Sequence, residues 1–261
     1  MPAQSHSAGP SVTFDTVTKR YANGTLAVDG VSLEVAAGSF VALVGTSGSG
    51  KSTLLKMVNR LVEPTGGSIA IGGEPVDQVP AHLLRRRIGY VFQNIGLFPH
   101  LTVGENIAIG LRLRGEKHND ARVAELLDLI ELPDDVAGRR PDALSGGQRQ
   151  RVGVARALAI KPGLMLMDEP FGALDPVTRD TLGHAVRRLH GTLGLTTIMV
   201  THDMAEALLF ADRVLVMQHG RIVADATPHE MLSGAGGEAA DALVAVPREQ
   251  AHALAKIEAG E

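Results

Sequence analysis

From Val12 to Val44, short segments rich in valine, phenylalanine and leucine are separated by Asn23-Gly24, Asp29-Gly30 and Ala37-Gly38. Short apolar stretches punctuated by turn residues predict successive strands. The run Ser39 to Val44 is continuously apolar and ends at Gly45, the pattern of a strand buried on both faces. The period then changes. Leu54, Leu55, Val58, Leu61 and Val62 share one helical face, and Pro64 with Gly66-Gly67 is expected to stop that helix.

Helical periodicity dominates residues 99–160. Thr102 and Glu105 have the spacing of a capping box, and Asn119 or Asp120 is placed to cap a helix with the stripe Val123, Leu126, Leu127 and Ile130. Because this block interrupts strand-rich sequence, it predicts an inserted helical lobe. Strand–helix alternation then resumes. Leu164–Met167, Thr196–Val200 and Val214–Met217 are predicted strands, with helices near 177–191 and 204–210. The result is an α/β core with a largely parallel sheet. Thr227-Pro228-His229-Glu230 reads as a helix start, with proline at the first helical position and a second box spacing. Residues 1–10 are expected to be a disordered leader, and 237–261 a short helical tail after a glycine-rich stretch.

Composition narrows the class. A chain of 261 residues can bury a substantial core. Its 25 basic and 29 acidic residues give −4, so no basic excess invites nucleic acid. The absence of cysteine excludes disulfides, thiolate zinc sites and iron–sulfur clusters. No stretch approaches the roughly eighteen apolar residues that span a bilayer. Met1 to Ser11 lacks the basic and apolar regions of a signal peptide. A membrane role would have to come through a partner chain.

Three strings carry chemistry. Gly45-Thr46-Ser47-Gly48-Ser49-Gly50-Lys51-Ser52 is a phosphate-binding loop between a buried strand and a helix. Its glycines let successive N–H groups curl around phosphates at the positive helix end. Lys51 reaches the same phosphates and the Ser52 hydroxyl can ligate Mg²⁺. Leu164-Met165-Leu166-Met167-Asp168-Glu169 is an apolar strand ending in two carboxylates. Alone these acids could equally be a solvated pair. Beside a phosphate loop, Asp168 becomes the Mg²⁺ partner and Glu169 the group that orients or deprotonates water. Leu144-Ser145-Gly146-Gly147-Gln148 combines a capping-box spacing with glycines that allow close backbone approach at a helix N-terminus. It reads as a second anion cradle, or as a plain helix cap.

That pentapeptide, about twenty residues before the acidic strand tip, makes the chain resemble the ABC ATPase family from about Val12 to Leu232. The resemblance implies a P-loop NTPase (RecA-like) core, an N-terminal antiparallel β subdomain and an inserted α-helical subdomain at about 99–160. The ATPase domain would span 11–236. ATP and Mg²⁺ would be the cofactors, held by Gly45 to Ser52 and Thr53. Tyr21 matches the aromatic that stacks on adenine, although one tyrosine here is more often packing. Gln93 matches the glutamine that touches Mg²⁺ and water. Asp175 matches a dimer-contact residue and doubles as an N-cap before Pro176. His202 matches the histidine at the γ-phosphate. Glu169, His202, Gln93 and Lys51 would form the catalytic set, and Ser52, Gln93 and Asp168 the metal set. Ser145, Gly146, Gly147, Gln148 and Asp175 would act in trans, in a homodimer.

The family further implies integral membrane permease partners at the cytoplasmic face of the inner membrane, an associated solute-binding protein and no nucleic acid. Lys56 to Pro64 and Gln93 to His100 resemble the branch importing glycine betaine, choline or carnitine. An amino-acid or other small-solute importer is the alternative, ahead of a non-transport ATPase. Many members of the branch add paired CBS modules, for which the tail after Leu232 is too short.

Overall fold

The computed structural model describes residues 8–116, 120–172 and 174–259. Two sheets organise it. β1 (Val12–Arg20), β2 (Leu26–Val35), β4 (Gly66–Ile71) and β5 (Glu74–Pro75) form an antiparallel sheet ordered β2-β1-β4-β5. The second sheet contains β3 (Phe40–Val44), β6 (Ile88–Val91), β7 (Leu164–Asp168), β8 (Thr196–Val200), β9 (Arg213–Gln218) and β10 (Arg221–Ala226). Its order is β10-β9-β3-β8-β7-β6, parallel except for the β9–β10 hairpin.

β3 is buried at all five positions because it has a core on each face. Phe40, Ala42 and Val44 join one apolar cluster, while Val41 and Leu43 join the other. The second cluster contains Leu54, Leu55, Met57 and Val58 of α1 (Lys51–Val58), packed between the two sheets. At eight residues, α1 is shorter than the ~12–15 an isolated helix needs, so packing holds it. Each large apolar side chain it buries contributes roughly 1.5–3 kcal/mol. That anchor fixes the loop preceding α1.

The helical block lies between β6 and β7. α3 (Val103–Leu113), α4 (Asp120–Leu129) and α5 (Gly146–Ala159) follow the short α2 (Ala81–Arg85), and Val123, Leu126, Leu127 and Ile130 are buried as the stripe predicts. Capping boxes close at Thr102/Glu105 on α3, Ser145/Gln148 on α5 and Thr227/Glu230 on α8 (Pro228–Leu232). α6 (Pro176–Leu193) and α7 (Met204–Phe210) flank β8, and α9 (Glu238–Ala259) packs Ala240 and Val244 into the core.

Several local expectations are corrected. α1 stops at Val58, well before Pro64, because Arg60 turns left-handed at φ 57° and its guanidinium bonds the carbonyls of Val76 and Val79. Gly66-Gly67 begins β4 rather than a turn. Asp29-Gly30 is a bulge inside β2, not a break. Asp120 is the first residue of α4 rather than its cap, and Asn119 falls outside the described residues, as does most of the expected leader. The end of that leader is packed: Gly9 N donates to Gly194 O at 2.7 Å, and a Cβ on Gly9 would lie 2.2 Å from Gly163 O.

Candidate active site

The phosphate loop leaves β3 and enters α1 through Gly50, a left-handed N-cap at φ 106° with no side-chain cap hydrogen bond. The first N–H groups of α1 therefore lack a side-chain acceptor. Lys51 is only 6% exposed. Its Nζ donates to Gly45 O at 2.7 Å, Thr46 O at 2.9 Å and Ser49 Oγ at 3.5 Å. All three acceptors are neutral, so a buried cation sits in a loop that brings it no bonded countercharge. Burial lowers its pKa, opposed by the carboxylates of Glu169 and Asp168. An anionic phosphate is the ligand such a loop fits.

Asp168, at the tip of β7, is 1% exposed. Its Oδ1 accepts from Ser52 Oγ at 2.7 Å and its Oδ2 pairs with Lys56 Nζ at 3.1 Å. A hydroxyl and a carboxylate joined across the loop form an oxygen donor pair suited to a hard cation such as Mg²⁺. Tyr90 Oη is enclosed beside the Asp168 carboxylate. Burial, then the neighbouring Asp168 carboxylate, raises the Tyr90 pKa, so it remains a phenol.

Glu169 leaves the strand at φ 48°, a conformation that costs an ordinary residue roughly 1–2 kcal/mol. Its N–H donates to Val200 O at 2.9 Å, tying the turn to β8. Glu169 Oε2 accepts from Gln93 Nε2 at 3.0 Å, and His202 Nδ1 stands 3.5 Å from the same oxygen. Three segments thus converge on one carboxylate. The loop carrying His202 is braced below: Thr201 Oγ1 donates to buried Glu206 at 2.6 Å, and Asp203 caps α7. Burial raises the Glu206 pKa.

Tyr21, 39% exposed, stands over the first turn of α1 with its hydroxyl 3.4 Å from Thr53 Oγ1. Gly45 to Thr53, Gln93, Asp168, Glu169, His202 and Tyr21 therefore occupy one neighbourhood. The remaining predicted residues form another. Ser145 Oγ accepts from Gln148 N at 3.2 Å, and Gln148 Oε1 accepts from Ser145 N at 2.9 Å. A Cβ on Gly147 would meet Leu174 and Thr178, whose N–H donates to the N-cap carboxylate of Asp175 at 3.0 Å. Among the described residues, no side-chain hydrogen bond of Ser145 reaches the phosphate loop. Sequence reasoning missed the placement of Lys56 and Tyr90 against Asp168. Lys56 lies four residues after Ser52 on the same face of α1, which was the available signal.

These features define a phosphate-loop ATPase-type cassette, and the ABC transporter family model matches residues 28–172. The chain belongs to that family. It is 45% identical over 237 residues to the glycine betaine/carnitine/choline transport ATP-binding protein OpuCA of Bacillus subtilis (strain 168), covering 90% of this chain and 62% of that one. It is 47% identical over 223 residues to the sulfate/thiosulfate import ATP-binding protein CysA 2 of Agrobacterium fabrum (strain C58 / ATCC 33970), covering 84% and 62%. It thus spans less than two thirds of each relative's length. Among solved structures it resembles the dimeric post-hydrolysis state of the ATP-binding cassette MJ0796 bound to ADP and Pi. The TM-score is 0.78 with 35% identity, covering 83% of this chain and 98% of that one.

Proposed function

We propose that the chain is the ATP-hydrolysing subunit of an importer, with its ATPase unit at 11–236 and a helical subdomain at about 99–160. The observation that carries this reading is the convergence of Gln93 and His202 on Glu169, beside the Ser52–Asp168 pair and Lys51. Lys51 would leave the loop carbonyls for the β- and γ-phosphates. Ser52, Asp168 and Gln93 would hold Mg²⁺, whose charge offsets that developing on the phosphoryl oxygens. Glu169 would orient or deprotonate the attacking water, with Gln93 fixing its carboxylate and His202 meeting the γ-phosphate. Tyr21 would stack on adenine. Nucleotide titration and steady-state turnover test this. Glu169→Gln is expected to bind ATP normally while turnover falls by orders of magnitude, and Lys51→Ala to lose binding and turnover together. Near-normal turnover in Glu169→Gln would remove Glu169 from the role.

Membrane attachment would come through permease subunits at the cytoplasmic face. Among the described residues no helix is long and apolar enough to cross a membrane. A groove of about 440 Å³ between α2, β6, α3 and α5 is lined by Leu61, Tyr90, Phe92 and Leu113, three of which are exposed large hydrophobics. Beside the Gln93 loop, it is the surface on which such a subunit would press.

The solute class we infer is quaternary ammonium: glycine betaine, choline or carnitine. Support comes from Lys56 to Pro64, Gln93 to His100 and the OpuCA likeness. The near-equal identity to a sulfate/thiosulfate importer subunit favours another small solute as the second reading. Uptake of the three labelled amines is to be compared in cells with and without the gene under high salt. Loss of at least one is expected; unchanged uptake of all three, with loss of a different solute, overturns the solute assignment alone.

A further inference from the structure

The segment that carries Gln93 holds one residue, Ile95, in a conformation it disfavours. Ile95 and Gly96 are both left-handed, at φ 57° and 59°, and a β-branched residue rarely adopts that region. Inside the segment, Ile95 N donates to Phe92 O at 3.0 Å, and Gly96 N bonds Asn94 O. The anchor lies on another element. Arg156, on α5, donates from Nη1 to Gly96 O and from Nη2 to Ile95 O, each at 2.6 Å. Its guanidinium also stands 5.8 Å from the Phe92 ring centroid. One turn earlier, Gly153 faces the loop: a Cβ there would make ordinary contact with Ile95 Cγ2 at 3.5 Å. A planar fork suits two neighbouring carbonyls as a lysine ammonium does not.

We propose that Arg156 is the positioning residue for Gln93, holding the left-handed turn so that the Gln93 amide meets Glu169. Gln93 lies two residues before Ile95, and its Nε2 reaches Glu169 Oε2 at 3.0 Å. The fork is on the same helix whose first turn follows Ser145. Arg156 touches neither phosphate loop nor carboxylates; it acts through Gln93. The inference rests on the ATP-hydrolysing reading.

The test uses the full chain in four forms: wild type, Gln93→Ala, Arg156→Met and the double variant. Methionine keeps the apolar stem and removes the fork. Arg156→Met is expected to bind MgATP with wild-type affinity while kcat falls roughly 10- to 100-fold, the scale of a misplaced catalytic group. The double variant is expected to be no slower than the worse single variant, because both remove one contact. Hydrogen exchange at the amides of residues 95–97 should quicken in Arg156→Met without nucleotide. Arg156→Lys, retaining charge without the fork, is expected to recover only part of kcat and covers the case in which Arg156→Met does not fold. Wild-type kcat in Arg156→Met or Arg156→Lys, or losses that multiply in the double variant, overturns the proposal. A wild-type chain that does not hydrolyse MgATP overturns the ATPase reading and the proposal with it.

Discussion

At the scale of single residues, the phosphate loop is shaped as much by what touches its glycines as by what they leave open. A Cβ on Gly50 would lie 2.1 Å from Ala27 O, and φ there is 106°. Gly48 is also left-handed, at φ 79°, yet a Cβ on it meets nothing within 4 Å. The two positions should therefore respond differently to the same substitution. Gly48→Ala adds only the left-handed cost of roughly 1–2 kcal/mol. Gly50→Ala adds backbone overlap with β2 on top, typically a further ~1–3 kcal/mol. Urea unfolding without nucleotide measures both, and equal losses would show that the β2 contact yields freely. Such a loop is legible because its residues are consecutive. The same holds for Asp168-Glu169 at the end of one apolar strand. Lys56 and Arg156 are not legible in this way. Their partners, Asp168 and the Ile95–Gly96 carbonyls, lie far along the chain; the four-residue spacing from Ser52 points to Lys56, whereas nothing local singles out Arg156 from the other basic side chains.

At the scale of elements, helix starts are read well and helix ends poorly, for a physical reason. A capping box closes between residues three apart, so Thr102, Ser145 and Thr227 declare their helices before any tertiary contact forms. The end of α1 is set instead by Arg60 reaching the carbonyls of Val76 and Val79 across another strand pair, which no local pattern contains. The Asp29-Gly30 bulge likewise depends on the register of β1 against β2. Shared cap geometry also separates a structural box from a functional one. Thr102→Ala and Ser145→Ala each remove one cap hydrogen bond and should each cost about 0.5–2 kcal/mol, measured by denaturant unfolding. Turnover should distinguish them. Thr102→Ala is expected to hydrolyse MgATP near the wild-type rate, whereas Ser145→Ala should slow it, because Ser145 would also contact phosphate on a second copy. Equal turnover in both variants would reduce Ser145 to a cap.

At the scale of the whole molecule, we propose that the chain carries two unlike anion cradles, and among the described residues no side-chain hydrogen bond of Ser145 joins them. One holds Lys51, Ser52 and the acidic strand tip. The other, at Ser145 to Gln148, has exposed helix-start geometry beside Asp175 but no lysine and no carboxylate pair for a metal. A site using both must take them from two copies, and two-fold symmetry then makes two such sites at once. ATP would join the copies. Its γ-phosphate would supply negative charge to the N-terminus of α5, and loss of that phosphate would weaken the contact. The cassette MJ0796 is a dimer in its ADP- and Pi-bound structure. The test stops turnover with Glu169→Gln, adds MgATP and measures mass by light scattering. The mass is expected to double with ATP and to stay single with ADP. Ser145→Arg, placed in the Glu169→Gln chain, should abolish the doubling while nucleotide binding persists, because its bulk enters only the face between copies. Doubling that survives Ser145→Arg would place the dimer contact elsewhere. Mass that ignores ATP in the Glu169→Gln chain would overturn nucleotide-driven pairing of this chain on its own.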